Sequence, residues 1–283
     1  MQQAELLPSV PQHKKNWLNS QWIRWCTTLG AGLLAGLFFL FIAVPIVSLF
    51  LQQSPGAIWQ TVLSTQAADA LIVSLVTTAA STLLTIVFGL PVAYLLARKR
   101  FPGRRFLEIL VTMPTILPSV VAGVALLLTF GRSGLVGHFL IGAGISLPFT
   151  TVAVVVAQMF ISSPFFINSA KAGIEQLDTR YELAAYTLGG SSFYTFRRVV
   201  LPLILPSILT GTSLTWARSL GEFGATITFA GNFVGTTQTL PIAVYIASED
   251  NLNTAIAISV VLIVLSFGIL LISQLARGWL SRG

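Results

Sequence analysis

Long apolar segments recur along the chain, and short polar segments separate them. A helix needs about 20 apolar residues to cross the hydrocarbon core of a bilayer. Six segments reach this length, and only the fifth contains charged residues, namely Arg218 and Glu222. Their approximate bounds are residues 29–51, 70–97, 109–130, 147–170, 199–230 and 254–275. The pattern predicts an all-α membrane protein with six transmembrane helices.

The composition agrees with this pattern, since 54% of the 283 residues are hydrophobic and only 9% are charged. Soluble domains usually carry about 25% charged residues. The net charge of +7 would also suit a nucleic-acid-binding protein, but the basic residues lie in short segments between the apolar ones. The composition therefore favours a membrane protein without a nucleic-acid partner.

The basic residues also predict the orientation, because cytoplasmic loops are enriched in Lys and Arg. If the segments before span one, between spans two and three, between spans four and five and after span six are cytoplasmic, 14 of the 16 Lys and Arg lie on that side. The two others are Arg132, in an outer loop, and Arg218, within span five. We therefore expect cytoplasmic termini, a cytoplasmic tail over residues 1–28 and a transmembrane domain over residues 29–276.

The cytoplasmic segment 175–202, between spans four and five, contains a second kind of helix. Residues 180–188 are expected to be helical, with the small residues Ala184 and Ala185 on a smooth surface. Gly189 follows directly, as is typical of a helix end. A short helix displayed in this way suits insertion into a groove on a partner protein. The alternative is an interfacial helix that lies on the bilayer surface.

The spacing of small and apolar residues in this segment resembles a known motif. ABC importer permeases carry a loop of the pattern E-A-A-x-x-x-G-x₉-I-x-L-P, which docks on the ATPase subunit. Four elements of that pattern hold their spacing over about 20 residues. They are Ala184-Ala185, Gly189, Val199 and Leu201-Pro202.

The sequence departs from the motif at its acidic position. The Glu of the family aligns with Leu183, and Glu182 comes one residue earlier. A shift of one residue turns a helical side chain by about 100°. The resemblance thus implies an ATPase-coupling surface, but it leaves open whether Glu182 contacts the ATPase. The coupling residues it implies are Glu182, Ala184, Ala185, Gly189 and Pro202.

The charged residues of span five form a second candidate site. Arg218 and Glu222 are four residues apart and share one helical face. A lone charge at the bilayer centre costs about 3 kcal/mol on insertion scales, so mutual pairing is expected. The pair either locks two helices together or acts as a gate in the pathway of an anion. Gly221 and Gly224 beside it would allow close helix approach or a local break.

The sequence around this pair also carries a resemblance. Residues 218–226 (Arg-Ser-Leu-Gly-Glu-Phe-Gly-Ala-Thr), followed by 229–232 and 237–241, resemble the molybdate branch of the oxyanion permeases. Leu117-Pro118 and residues 130–134 do so as well. The sulfate/thiosulfate branch shares the Gly-Glu-aromatic-Gly core but usually differs after it. The resemblance covers residues 70–275, which is the expected permease core.

The resemblance implies the fold and the role of the chain. It implies a type I ABC importer permease in a bacterial plasma (inner) membrane, which moves a tetrahedral oxyanion. Molybdate is the main expectation, and tungstate or sulfate/thiosulfate is the alternative. The implied partners are ABC ATPase subunits, a substrate-binding protein at the outer face and a second, identical permease chain. ATP and Mg²⁺ would bind to the ATPase, so this chain is expected to carry no cofactor.

Other functions lack the residues that they need. No Gly is followed by Lys, so the phosphate-binding pattern G-x-x-x-x-G-K-[ST] is absent, and no catalytic cluster stands out in the loops. His13 and His138 are far apart without ligand partners, so no metal site is expected. A secondary transporter driven by an ion gradient would need acidic or His residues near the midplane. Only Arg218 and Glu222 are available for that role.

Overall fold

The structure is a computed structural model that describes residues 17–280. All regular elements among these residues are helices, as predicted. Residues 1–16, most of the predicted tail, lie outside the described residues. The helices are α1 (Trp17–Leu51), α2 (Pro55–Val62), α3 (Thr65–Arg98), α4 (Arg104–Ile116), α5 (Ser119–Phe130), α6 (Gly137–Gly142), α7 (Thr151–Gln176), α8 (Arg180–Thr187), α9 (Ser192–Thr195), a π-helix (Phe196–Val200), α10 (Leu201–Leu203), α11 (Leu205–Leu220), α12 (Gly224–Ala230), α13 (Leu240–Asp250) and α14 (Leu252–Leu280).

The chain divides into two compact units after Gln52. The first contains α1, and its residues 27–51 are long and apolar enough to cross a membrane. The second contains α2 to α14 and all the candidate site residues. Its helices α3, α7 and α14 are also of spanning length.

The third and fifth predicted spans are bent pairs of helices and not straight helices. The axes of α4 and α5 make an angle of 118°, and α11 is turned by 72° from the helical segment Ser192–Leu203. If each pair counts as one span, the described residues contain up to six. Leu117 adopts an extended conformation at the first bend because it precedes Pro118, which disfavours a helical conformation there. The second bend comes at Ile204, just before Pro206, which lacks a backbone donor.

Segments expected to be loops contain short helices. The predicted outer loops hold α2, α6 and α13, and the apolar segment 199–230 is interrupted again at residues 221–223. Proline lies in the first turn of two of these helices, since Pro55 is the first residue of α2 and Pro241 is the second residue of α13. These helices have six to eleven residues and are too short to cross a bilayer, so hydropathy does not reveal them.

The centre of the second unit is formed by α3, α7 and α11. Phe166 of α7 is fully buried there. A Cβ atom added to Gly89 of α3 would lie 3.0 Å from its ring, and one added to Gly211 of α11 would lie 3.1 Å from its Cα. Small residues of this kind let helix backbones approach closely in membranes.

Polar contacts in this centre involve side-chain hydroxyls. Ser219 of α11 and Ser162 of α7 form a hydrogen bond of 2.9 Å, and Ser81 of α3 donates one of 3.3 Å to Ser219. All three side chains are fully buried. We call these three residues the serine cluster. It fixes the end of α11, and therefore the position of Arg218, against two spanning helices.

Candidate functional site

The helix α8 has the bounds that its local sequence predicts, to within one residue. The helix begins at Arg180, whose backbone N–H donates a hydrogen bond of 2.9 Å to Oδ1 of Asp178, two residues earlier. Gly189 ends it with a φ of +83°, a conformation that suits glycine. The backbone N–H of Gly190 then donates to the carbonyl of Ala185 at 2.9 Å.

One face of α8 borders a surface depression of about 740 Å³. Residues three and four apart share a face of a helix, and the α8 residues here follow that spacing. The segment after the helix forms the opposite wall. The lining residues are Tyr181, Ala184, Ala185, Leu188, Gly189, Gly190, Ser191, Tyr194, Arg198 and Val199. We call this the α8 depression.

The predicted coupling residues do not all lie on this face. Ala184, Ala185 and Gly189 line the depression, whereas Pro202 lies in α10, is exposed and does not line it. Glu182 is only 7% exposed and points towards the protein. Leu183, at the position of the family's Glu, is 59% exposed. The side chains at 182 and 183 thus point in different directions, as the shift of one residue predicted.

Glu182 makes its contacts with the end of α3. Its Oε1 atom lies 2.7 Å from Nη2 of Arg98, and its Oε2 accepts a hydrogen bond of 3.3 Å from the hydroxyl of Tyr94. Nη2 of Arg98 also donates to the carbonyl of Leu177, at 2.9 Å. Neither Arg98 nor Tyr94 was predicted, because Arg98 was interpreted only as a cytoplasmic loop charge and Tyr94 as part of a span.

Arg218 and Glu222 form the predicted ion pair, with 2.6 Å between Nη1 and Oε2. The side chain of Glu222 is only 1% exposed, whereas that of Arg218 is 31% exposed. Oε1 of Glu222 also accepts a hydrogen bond of 2.9 Å from the backbone N–H of Ala225, in the first turn of α12. Nη2 of Arg218 donates to the hydroxyl of Ser119, the first residue of α5, at 3.3 Å. The pair therefore joins the ends of three helices.

The two glycines beside the pair differ in their surroundings. A Cβ atom at Gly224 would lie 2.8 Å from Cβ of Ser119 and 2.9 Å from the backbone N of Val120. A Cβ at Gly221 would meet only the carbonyl of Ala217, at 3.5 Å. Gly123 carries no local signal in the sequence, yet a Cβ atom there would lie 2.9 Å from Cα of Ala225. Close approach of α12 to α5 thus depends on Gly224 and Gly123.

The substitution Gly224→Ala is expected to lower the free energy of unfolding by about 2 kcal/mol, because the new methyl group overlaps the backbone of α5. The matched control is Gly221→Ala. Alanine readily adopts the φ of −86° found at Gly221, and a methyl group has room there. The free energy of unfolding of this control variant should therefore stay within about 0.5 kcal/mol of the parent protein. Thermal unfolding of the purified proteins in one detergent measures both. Equal melting temperatures for the two variants would contradict the assigned contact.

No group of three or more His, Cys, Asp or Glu among the described residues is arranged to hold a metal ion. His138 lies in α6 and packs edge-to-face on Phe139. His13 lies outside the described residues.

The sequence profile of the family described as "Binding-protein-dependent transport system inner membrane component" matches residues 86–282. The match covers more than half of the chain and includes α8, Arg218 and Glu222. The chain belongs to this family. The match confirms the prediction that this chain is a permease of the ABC importers.

Within this family, the permease resembles proteins named for the transport of molybdenum and sulfate. It is 42% identical over 226 residues to the molybdenum transport system permease protein ModB of Mycobacterium tuberculosis, which is 80% of this chain and 86% of that protein. It is 36% identical over 214 residues to the sulfate transport system permease protein CysT of Salmonella typhimurium, 75% of this chain and 77% of that protein.

A solved structure has the same fold as this permease. The crystal structure of a bacterial ABC transporter that imports the acidic polysaccharide alginate matches with a TM-score of 0.74, over 91% of this chain and 97% of that chain. The sequence identity is 16%, so the likeness concerns the fold. It confirms the predicted all-α fold of type I importer permeases.

Proposed function

We propose that this permease is the membrane-spanning subunit of an ATP-driven importer for a tetrahedral oxyanion, and that the anion is molybdate. The observation that carries the proposal is the 42% identity to a molybdenum permease, over 80% of the chain. The 36% identity to a sulfate permease supports the broader class of dianions, with sulfate as the alternative. Tungstate has the same shape and charge as molybdate and is a further alternative.

The proposed importer contains three kinds of component. Two ABC ATPase subunits dock on the cytoplasmic face and supply ATP hydrolysis with Mg²⁺, and a binding protein delivers the anion to the outer face. Two copies of this chain form the pathway in a bacterial plasma membrane, with their termini and segment 175–202 in the cytoplasm. The excess of Lys and Arg in the segments assigned to that side supports this orientation.

The α8 depression is the proposed ATPase docking surface. Its small residues Ala184 and Ala185 leave room for a side chain of the partner, and the exposed Tyr181, Leu188 and Tyr194 supply apolar area for it. Aromatic side chains are enriched at the centres of protein interfaces. Movement of the ATPase subunits would thus reach this permease through α8, as a rigid-body shift.

Arg218 is the proposed contact of the pathway with the anion. About a third of its side chain is exposed, so part of the guanidinium remains available to a passing dianion. The carboxylate of Glu222, 2.6 Å away, offsets much of the positive charge. An anion would therefore be attracted to this point but would not be held there. A pathway site must bind weakly enough to let the ion leave.

Uptake of labelled anion in a bacterial strain that lacks its own molybdate and sulfate permeases tests the substrate. The strain should carry this permease together with the ATPase and the binding protein of the same importer. We expect molybdate uptake that a tenfold excess of unlabelled molybdate abolishes and that a tenfold excess of sulfate leaves nearly unchanged. Restoration of sulfate uptake in place of molybdate uptake would overturn the assignment to molybdate.

A further inference from the structure

The contacts of α8 with the end of α3 have no assigned role. We propose that Arg98 and Tyr94 are positioning residues that fix the coupling segment 175–202 to α3 through Glu182, so that movement of α8 is passed on to α3. We call Tyr94, Arg98, Glu182 and Phe196 the α3 clamp. The inference rests on the proposed function, because it gives the movement of α8 a route into the membrane.

The clamp is made of charged groups that are largely shielded from water. The exposed fraction is 13% for the side chain of Arg98 and 9% for that of Glu182. A pair held in this way resists separation, because each charge is shielded from water and would be left uncompensated without its partner. By comparison, the pair of Arg180 with Asp178 at the start of α8 is 3.8 Å long, and its side chains are 88% and 53% exposed. Exposed pairs of that kind contribute little.

Each residue from α3 makes more than one contact with the coupling segment. Arg98 forms an ion pair with the carboxylate of Glu182 and donates a hydrogen bond to the carbonyl of Leu177, so it binds on both sides of the turn between α7 and α8. The hydroxyl of Tyr94 donates to Glu182, and its ring packs edge-to-face on Phe196 with 5.2 Å between the ring centroids. The helix α3 thereby contacts the segment both before and after α8.

The direct route along the chain from α8 to α11 is irregular. It passes through α9, the π-helix Phe196–Val200, α10 and the 72° bend at Ile204. A π-helix is an irregular turn that is common at functional sites. Val200 in this turn is fully buried in one apolar cluster with Leu96 of α3 and Ile174 of α7. The segment after α8 therefore also packs against α3 before it reaches α11.

Two faces of α8 therefore have different roles in the coupling segment. One face of α8 meets the ATPase, while Glu182, on another face, holds the helix to α3. The helix α3 carries Ser81 of the serine cluster, which contacts both α7 and α11. Without the clamp, α8 would still bind the ATPase but would move independently of the membrane helices. Loss of the clamp should therefore separate ATP hydrolysis from transport while docking persists.

The test is the amount of anion transported per ATP hydrolysed, measured on the complete importer in proteoliposomes. The variants are Glu182→Gln, Arg98→Gln and their combination, with molybdate and its binding protein supplied. We call the amount of anion transported per ATP hydrolysed the transport ratio. We expect each single variant to bind the ATPase with an affinity within twofold of the parent's and to have a transport ratio at least tenfold lower. The combination should be no worse than either single variant, because both remove the same contact.

The matched control is Glu108→Gln, which makes the same chemical change in another ion pair. Glu108 lies 3.0 Å from Arg104 and 2.7 Å from Lys171, so it joins α4 to α7 and not to α8. Its transport ratio should stay within twofold of the parent. If Glu182→Gln does not accumulate in the membrane, Tyr94→Phe takes its place. That variant keeps the ring and removes the hydroxyl, and we expect its transport ratio to be at least threefold lower than the parent's.

Two results would overturn the clamp. One is a parental transport ratio in both Arg98→Gln and Glu182→Gln. The other is loss of ATPase binding in Glu182→Gln with a normal binding level in Arg98→Gln, because Glu182 would then contact the ATPase itself. Failure of the docking proposal looks different, since it would leave ATPase binding intact in a variant that fills the α8 depression. If the molybdate assignment is wrong, the importer with the parent protein will not transport molybdate, before any variant is compared.

Discussion

Replacement of Arg218 by alanine is expected to lower the free energy of unfolding by about 3 kcal/mol. The substitution leaves the carboxylate of Glu222 buried without its counter-ion, and the loss of one partner of a buried pair costs about 3–5 kcal/mol. It also removes the hydrogen bond to Ser119 at the start of α5. Thermal unfolding in detergent should register a fall in melting temperature of roughly 10 °C.

The reciprocal substitution, Glu222→Gln, is the informative comparison. It leaves a cation that is 31% exposed and can still reach water, and the amide oxygen can still accept from the N–H of Ala225. We expect the free energy of unfolding of this variant to fall by about 1 kcal/mol. The double variant Arg218→Ala with Glu222→Gln should be more stable than Arg218→Ala, because no charge stays buried. A double variant less stable than Arg218→Ala would contradict this explanation.

Introduction of arginine at Ala185 is expected to abolish binding of the ATPase and uptake of the anion together. The side chain would fill the α8 depression and place a charge where a partner is expected to pack closely. An unpaired charge enclosed in an interface costs about 3 kcal/mol, which is more than a hundredfold in affinity. Co-purification of the ATPase and uptake in the reconstituted strain measure the two effects.

Thr187→Arg is the matched control on the same helix. Thr187 is exposed, but it does not line the depression. The variant should keep ATPase binding and uptake within about twofold of the parent, and both proteins should reach the membrane in equal amounts. Ala185→Arg that still binds the ATPase would contradict the docking assignment, even if uptake were lost.

Features set by neighbouring residues could be predicted from the sequence. The helix α8 was placed to within one residue, because Gly189 signals its end locally. The ion pair of Arg218 and Glu222 was predicted because a spacing of four residues places two side chains on one face. The apolar segment 109–130 was found, but its 118° bend was not. Hydropathy has no angular information, and Pro118 was the signal that marked the bend.

Features set by distant residues could not be predicted in this way. Glu182 pairs with Arg98, which lies 84 positions earlier, and no local pattern joins them. Gly221 and Gly224 look equivalent in the sequence, yet only Gly224 lies against another backbone. Such differences depend on which helices pack together, and a single sequence with many small residues allows several packings.

The serine cluster has a consequence for how the chain enters the membrane. A helix leaving the translocation machinery meets lipid before its neighbours arrive, and free hydroxyls would then lack partners. Hydroxyls of α3 can bond to carbonyls one turn earlier, as Thr77 does to Val73 and Thr85 to Ser81, at 2.7 Å each. Ser81 of the serine cluster likewise donates to the carbonyl of Thr78, at 3.0 Å, so α3 can insert at little cost and contact Ser219 only when α11 arrives. Insertion and assembly can thus be separate steps in the biogenesis of this permease.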